Sequence, residues 1–245
     1  HFGAASLSRW YMKIRPIILF FAAFGMMAGA NANVVMTGTR VIVPFNSKEK
    51  TVQLKNPDSQ PYVVQMQITD DKGKPDSHSP FIIVPPVFRM ERETGQSVRL
   101  ITKDTSRLPQ NRESIFYLSF TQLPMVTPEQ KSQNQLVLAI TNRVKIFYRP
   151  AGLSGEAEDA YDKMEFSASG SELRVNNPTG YFINVRSAEL KSGSRYITLA
   201  KSVMLDPDSQ VKWSLPDGIH SLRGTTIKLI MVNDYGADVI KERHL

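Results

Sequence analysis

Apolar and polar residues alternate in short runs along most of this chain, the two-residue period of half-buried β-strands. The spacing predicts strands over Thr39–Val43, Thr51–Leu54, Tyr62–Ile68, Phe81–Val84, Ser97–Ile101 and Ser114–Leu123. A seventh and longest stretch runs from Gln135 to Arg149. There Leu136, Leu138 and Ile140 share one face, Val144, Ile146 and Tyr148 continue it, and Thr141 to Arg143 lie between the halves. Strands usually hold about 5–6 residues, so roughly 14 extended residues must either cross a large sheet or project past it as an open edge. An ordinary core strand and an edge that lends itself to a partner both satisfy the pattern.

Turn residues punctuate these runs at Asn56-Pro57-Asp58, Asp71-Lys72-Gly73 and Leu108 to Asn111, and no helical period lasts beyond a few turns. After Pro150 the pattern lapses into the small, acidic segment Ala151 to Ala160. Strand signals then restart at Met164–Phe166, Leu173–Val175, Tyr181–Arg186, Tyr196–Leu199, Val211–Trp213 and Thr225–Val232, divided by turns such as Asn176 to Gly180 and Asp206-Pro207-Asp208. The chain reads as all-β, with two sandwich domains over residues 33–150 and 151–245. Trp213 is expected in the second core.

The first 32 residues read differently. A basic Met12-Lys13-Ile14-Arg15, an apolar run from Ile17 and a small-residue Ala30-Asn31-Ala32 site make residues 1–32 a signal peptide, with residues 1–11 an upstream extension and Met12 the expected start. The apolar run falls short of the roughly 20 residues that span hydrocarbon, so no membrane insertion of the mature chain is expected. Cleavage after Ala32 removes three of the 30 basic residues and none of the 23 acidic ones, lowering the net charge from +7 to +4. The remaining basic residues are scattered among acids, which gives nucleic-acid binding no support. There is no cysteine, which excludes thiol catalysis, thiolate metal sites and disulfides.

Candidate catalytic chemistry is sparse. His78 and His220 sit in turn-like contexts and His244 near the C-terminus, with no metal-ligand spacing and no positioned base. Asp70-Asp71 and Asp206 to Asp208 read as solvated turn caps. Neither an enzyme nor a cofactor or metal is expected. A secreted carbohydrate-binding or adhesin sandwich is the alternative, disfavoured because the best-patterned apolar residues lie on a strand and not in exposed loops.

Several collinear motifs resemble one family. Thr39-Arg40-Val41-Ile42-Val43-Pro44 is similar to the first strand of the periplasmic pilus (fimbrial) assembly chaperones. Leu108 to Tyr117, continuing to Leu123-Pro124, resembles that family's signature, Asn142 to Pro150 the end of its long strand, and Asn177-Pro178-Thr179 and Asn233 to Ala237 its second-domain turns. Ser119-Phe120 departs from the family's usual Asn followed by a smaller aliphatic residue. The resemblance implies two immunoglobulin-like domains in a boomerang, a periplasmic location, fimbrial subunits as clients and an outer-membrane usher as recipient. It carries over Arg40 and Lys145 as cleft cations for the subunit's C-terminal carboxylate, Leu136, Leu138 and Ile140 as donor-strand residues, and Glu113, Arg149 and Asp234 as a buried interdomain charge cluster. The short connection from Pro124 to Asn134 resembles the short-loop subgroup. An apolar edge left open in the free protein is expected to cap itself in a weak dimer.

Overall fold

The computed structural model describes residues 33–245, so the expected signal peptide and the Met12 start lie outside the described residues. The first half contains β1 (Val35–Met36), β2 (Arg40–Pro44), β3 (Glu49–Lys55), β4 (Tyr62–Thr69), β5 (Phe81–Val84), β6 (Val87–Met90), β7 (Gly95–Thr102), β8 (Ser114–Pro124), a one-turn helix α1 (Pro128–Lys131) and β9 (Ile140–Arg149). The second contains the short helix α2 (Asp159–Lys163), then β10 (Glu165–Ser169), β11 (Glu172–Asn177), β12 (Ile183–Ser192), β13 (Arg195–Leu205), β14 (Ser209–Ser214), β15 (Thr226–Val232) and β16 (Asp238–His244).

These strands form two sandwiches. In the first, a sheet ordered β1-β3-β7-β5 faces one ordered β2-β9-β8-β4-β6; in the second, β10-β11-β14 faces β13-β12-β15-β16. Alternation decides which side chains fill each interior. Val52, Leu54, Val98 and Leu100 from one sheet meet Val64, Met66, Leu118, Phe120, Ile146 and Tyr148 from the other. Leu173, Val175, Ile183, Leu190, Leu205, Ile227 and Leu229 form a separate second core, and Trp213 lies within it. The two clusters share no residue, so each half buries its own apolar face.

A buried asparagine ahead of a proline closes a corner in each half. Asn56 donates to the carbonyls of Gln60 (2.8 Å) and Glu91 (3.0 Å) and accepts from the Asp58 amide. Asn177 donates to the carbonyls of Tyr181 (2.7 Å) and Asp206 (2.9 Å) and accepts from the Thr179 amide. Each side chain thus satisfies main-chain groups that a turn takes out of the ladders.

Three details differ from the sequence reading. The long strand is shorter than expected: β9 begins at Ile140, and residues 134–139 form no ladder. Among the described residues no neighbouring strand runs beside that segment, because β8 pairs with β9 only as far as Ile140 and β2 pairs with β9 from Lys145 onward. β6 escaped notice because Pro85-Pro86 reads as the end of a strand. β16 escaped because charged residues fall on both its faces, Asp238 and Glu242 on one and Lys241 and Arg243 on the other, which hides its period at a sheet edge.

Candidate functional site

The site is built where β2 and β9 run side by side. They pair in parallel, Arg40 opposite Lys145 and Pro44 opposite Arg149, so two cations meet at the start of the shared ladder. Strand alternation then divides β9 cleanly. Ile146 and Tyr148 enter the first core, whereas Lys145, Phe147 and Arg149 face the second domain.

Lys145 and Arg40 are half-buried and poorly compensated. The Lys145 ammonium donates to Asn184 Oδ1 at 3.0 Å, a neutral partner on β12. The Arg40 guanidinium lies over the Phe147 ring, 5.9 Å from its centroid, and its Nε is buried with no hydrogen-bond partner among the described residues. Among the described residues neither cation has a carboxylate within ion-pair distance. Asn184 is a partner for Lys145, but it brings no charge. Burial, opposed by Tyr161 and Asp234 and reinforced by Arg186, holds the Arg40 guanidinium below its ordinary pKa. Burial and then the charge of Arg40 hold Lys145 below its own. Both shifts mean that the folded protein disfavours these charges, and an anion placed between them would relieve that penalty.

Phe182 packs on Phe147, with ring centroids 5.6 Å apart, and Tyr161 on α2 closes the other side, its hydroxyl donating to the Val232 carbonyl at 3.1 Å. Burial pushes the Tyr161 hydroxyl up to about 12, so it stays protonated and neutral beside the cations. Asn184 and Phe182 were read from the sequence only as parts of a strand run, and Tyr161 fell between the linker and the next strand. Nothing in a two-residue period marks which apolar or amide side chain will face a neighbouring domain.

Glu113, Arg149 and Asp234 meet as the sequence suggested. Arg149 donates from Nε to Glu113 (3.0 Å) and from Nη1 and Nη2 to the two oxygens of Asp234 (2.7 and 2.9 Å). Glu113 also accepts the Phe182 amide at 2.9 Å, while its own amide donates to the Gly180 carbonyl at 2.8 Å, so this one residue ties two parts of the second domain to the first. Only Glu113 is fully buried. Its side chain is 2% exposed, against 21% for Arg149 and 35% for Asp234, which corrects the expectation of a wholly buried cluster. Asp234 belongs to the β15–β16 turn, which Asn233 shapes by accepting the amides of Tyr235 and Ala237. Gly236 in that turn has φ 80° and abuts the first domain, where a Cβ would fall 2.5 Å from Thr39 Oγ1. Burial pushes the Glu113 carboxyl up and outweighs the pull of Arg149. Burial works against the Arg149 charge, but the two carboxylates more than restore it.

Leu136 and Leu138 lie on the unpaired segment that leads into β9, 85% and 59% exposed, with Val137 at 42% between them. Ile140 is partly covered at the first position of the ladder. Leu136 and Leu138 therefore stand in solvent on one face of a stretch of main chain that pairs with no strand among the described residues, and Ile140 continues that face into the ladder.

The comparisons with known proteins cover both halves. Residues 33–154 match the pili and flagellar-assembly chaperone family, PapD N-terminal domain, and residues 159–243 match the pili assembly chaperone PapD, C-terminal domain. The chaperone protein MrkB of Klebsiella pneumoniae is 38% identical over 234 residues, spanning 92% of this chain and 97% of its own. The chaperone protein HifB of Haemophilus influenzae is 38% identical over 235 residues, 90% of each chain. The crystal structure of the YadV chaperone superposes with a TM-score of 0.75 at 29% identity, over 87% of this chain and 100% of that one. This chain belongs to the pilus-assembly chaperone family, built as two β-sandwich domains.

Proposed function

We propose that the protein is a periplasmic chaperone that captures fimbrial subunits by lending them a strand, and that it then hands them to an outer-membrane usher. The observation that carries this reading is the pairing of two uncompensated cations, one on β2 and one on β9, with an exposed apolar segment that leads directly into β9. Arg40 and Lys145 would hold the subunit's terminal carboxylate through charge-assisted hydrogen bonds, and Leu136, Leu138 and Ile140 would fill a groove in a subunit that lacks a strand of its own. Glu113, Arg149 and Asp234 would fix the second domain against the first, so that both walls of the cleft are in place before a subunit arrives.

Magnitudes assign the roles. Burying a Leu or Ile side chain contributes about 1.5–3 kcal/mol, so the trio contributes on the order of 5–9 kcal/mol, toward the low end because Ile140 is already partly covered. Ordering the unpaired residues costs about 1–2 kcal/mol each, a total of similar size. New ladder bonds, at about 0.5–1.5 kcal/mol apiece, and the carboxylate anchor therefore decide whether capture occurs. Without a subunit the same apolar segment is expected to cover itself in a weak dimer, in competition with the client.

Co-expression with a fimbrial subunit tests the reading: the two should co-elute one-to-one. Leu138→Glu should fold normally, because the side chain is 59% exposed, and should weaken subunit complex and dimer together. An unaltered subunit complex in that variant would remove the strand-lending role.

A further inference from the structure

β12 carries one residue too many. Against β15, Val185 pairs with Met231 and Ser187 with Ile230, so Arg186 has no residue opposite it. Across β13, Val185 pairs with Val203 and Ser187 with Lys201, and the intervening Ser202 has φ 51°, a left-handed conformation unusual for a residue with a Cβ. The core-facing set changes parity across this point, from Ile183 and Val185 to Ala188 and Leu190. A bulge facing a strained residue costs free energy and re-aims a side chain, and here the side chain is an arginine.

Arg186 lies on β12, the strand that also carries Asn184 in the cleft wall. It lies two residues from Asn184, the partner of Lys145, on the same face and roughly 7 Å further along the strand. Asp238, at the start of β16, accepts from Arg186 Nε at 2.6 Å and so fixes the plane of the guanidinium. Among the described residues its two terminal nitrogens have no hydrogen-bond partner. Its charge also reaches the anchor: after burial, which dominates, Arg186 contributes to holding the Arg40 guanidinium down. An exposed ion pair made for stability alone would need neither the bulge nor the left-handed serine.

We propose that Arg186 is a third cation of the cleft that sets client preference by taking a side-chain carboxylate from the last three residues of the bound subunit, with Asp238 as its positioning residue. The proposal rests on the capture reading above. One or two residues of extended chain, plus the reach of an Asp or Glu side chain, span the distance from Asn184 to Arg186. Arg186 is 52% exposed, so its contribution is that of a solvent-screened pair and decreases with salt.

The test uses the whole chain and synthetic peptides of alternating Thr and Val with a free C-terminal carboxylate, carrying Glu or Gln at the second or third position from the end. Fluorescence anisotropy at low salt should give one of the Glu peptides about a three- to fivefold tighter Kd than its Gln counterpart. That preference should vanish in Arg186→Gln and shrink in Asp238→Asn, while the Gln peptides bind all three proteins alike. Equal binding of the Glu and Gln peptides by the unmodified chain, or a preference that survives Arg186→Gln, overturns the proposal. C-terminal amidation separates the two readings: if it leaves affinity unchanged, the Arg40–Lys145 anchor falls, and the Glu-against-Gln comparison still decides Arg186. Failure of every peptide to bind overturns both.

Discussion

Replacing Arg149 with alanine removes one group and strands two. Glu113 is left with the Phe182 amide alone in a place where its side chain is 2% exposed, whereas Asp234, at 35%, can turn to water. The Asp234 arm is therefore worth under about 1 kcal/mol, as for surface pairs. The Glu113 arm belongs to the class of broken buried pairs, at about 3–5 kcal/mol, tempered because Arg149 is itself 21% exposed. We expect a loss of about 3 kcal/mol, or roughly 6–12 °C in melting temperature for a chain of this length. The loss should depend on pH with a definite sign. Burial already raises the folded Glu113 pKa, and removing Arg149 raises it further. A raised carboxyl pKa contributes stability that is full below the unfolded value, about 4.3, and is lost as pH rises through the folded value. The gap between Arg149→Ala and the parent should therefore be smaller near pH 4.5 than near pH 7.5. Urea unfolding at the two pH values, followed by circular dichroism, measures it. An unchanged midpoint, or a gap that does not narrow on acidification, would refute the burial argument.

Three other outcomes follow from the same geometry. Lys145→Met should abolish subunit capture yet keep the melting temperature within about 3 °C of the parent: the depressed lysine pKa makes its charge a cost to the fold below that pKa, a cost relieved as pH rises through the folded value toward the ordinary one, and this offsets the lost Asn184 bond. A larger drop would assign Lys145 a structural role. Arg40→Glu should impair capture more than Arg40→Ala in a pull-down, because it repels the carboxylate in addition to removing a donor, and equal residual binding would contradict an electrostatic anchor. Gly180→Ala should cost about 1–3 kcal/mol by thermal melting, since its Cβ would run into Leu153 and the Asn111 carbonyl beside the Glu113–Gly180 bond, and a neutral result would mean that this contact is loose.

Strands whose interior face alternates without interruption were readable from sequence. Tyr62, Val64, Met66 and Ile68 on β4 point inward as their period requires, as do Ile227, Leu229 and Met231 on β15. β16 was not, since charged residues fall on both its faces: Asp238 and Glu242 on one, Lys241 and Arg243 on the other. At the site, Glu113, Arg149 and Asp234, which motif resemblance singled out, lie within ion-pair distance. The resemblance could not reveal that Phe182 and Asn184 supply the opposite wall, since which side chain meets a neighbouring domain is set by domain docking and not by period. The bulge at Arg186 left no mark in the sequence either. The expected strand from Gln135 failed for a related reason: alternation records which face a segment can bury, and a ladder needs a partner strand, which residues 134–139 lack among the described residues.

Lys145 and Leu138 are an odd number of residues apart on the same run of chain, and in extended backbone an odd separation places them on opposite faces. Ile146 and Tyr148, on the Leu138 side, fill the first core. A leucine lent from that side would enter a client in line with the chaperone's own interior layer, so host and guest would share one continuous apolar slab, while the client's terminus would be gripped from the reverse of the sheet. The arrangement reads parity before it reads length. Inserting one residue between Ile140 and Lys145 would leave both cations and the Arg149 ion pairs untouched but rotate Leu136, Leu138 and Ile140 to the wrong side. Inserting two would restore the side and displace the leucines by about 7 Å, one pleat repeat, so that a client could dock one pocket out of step.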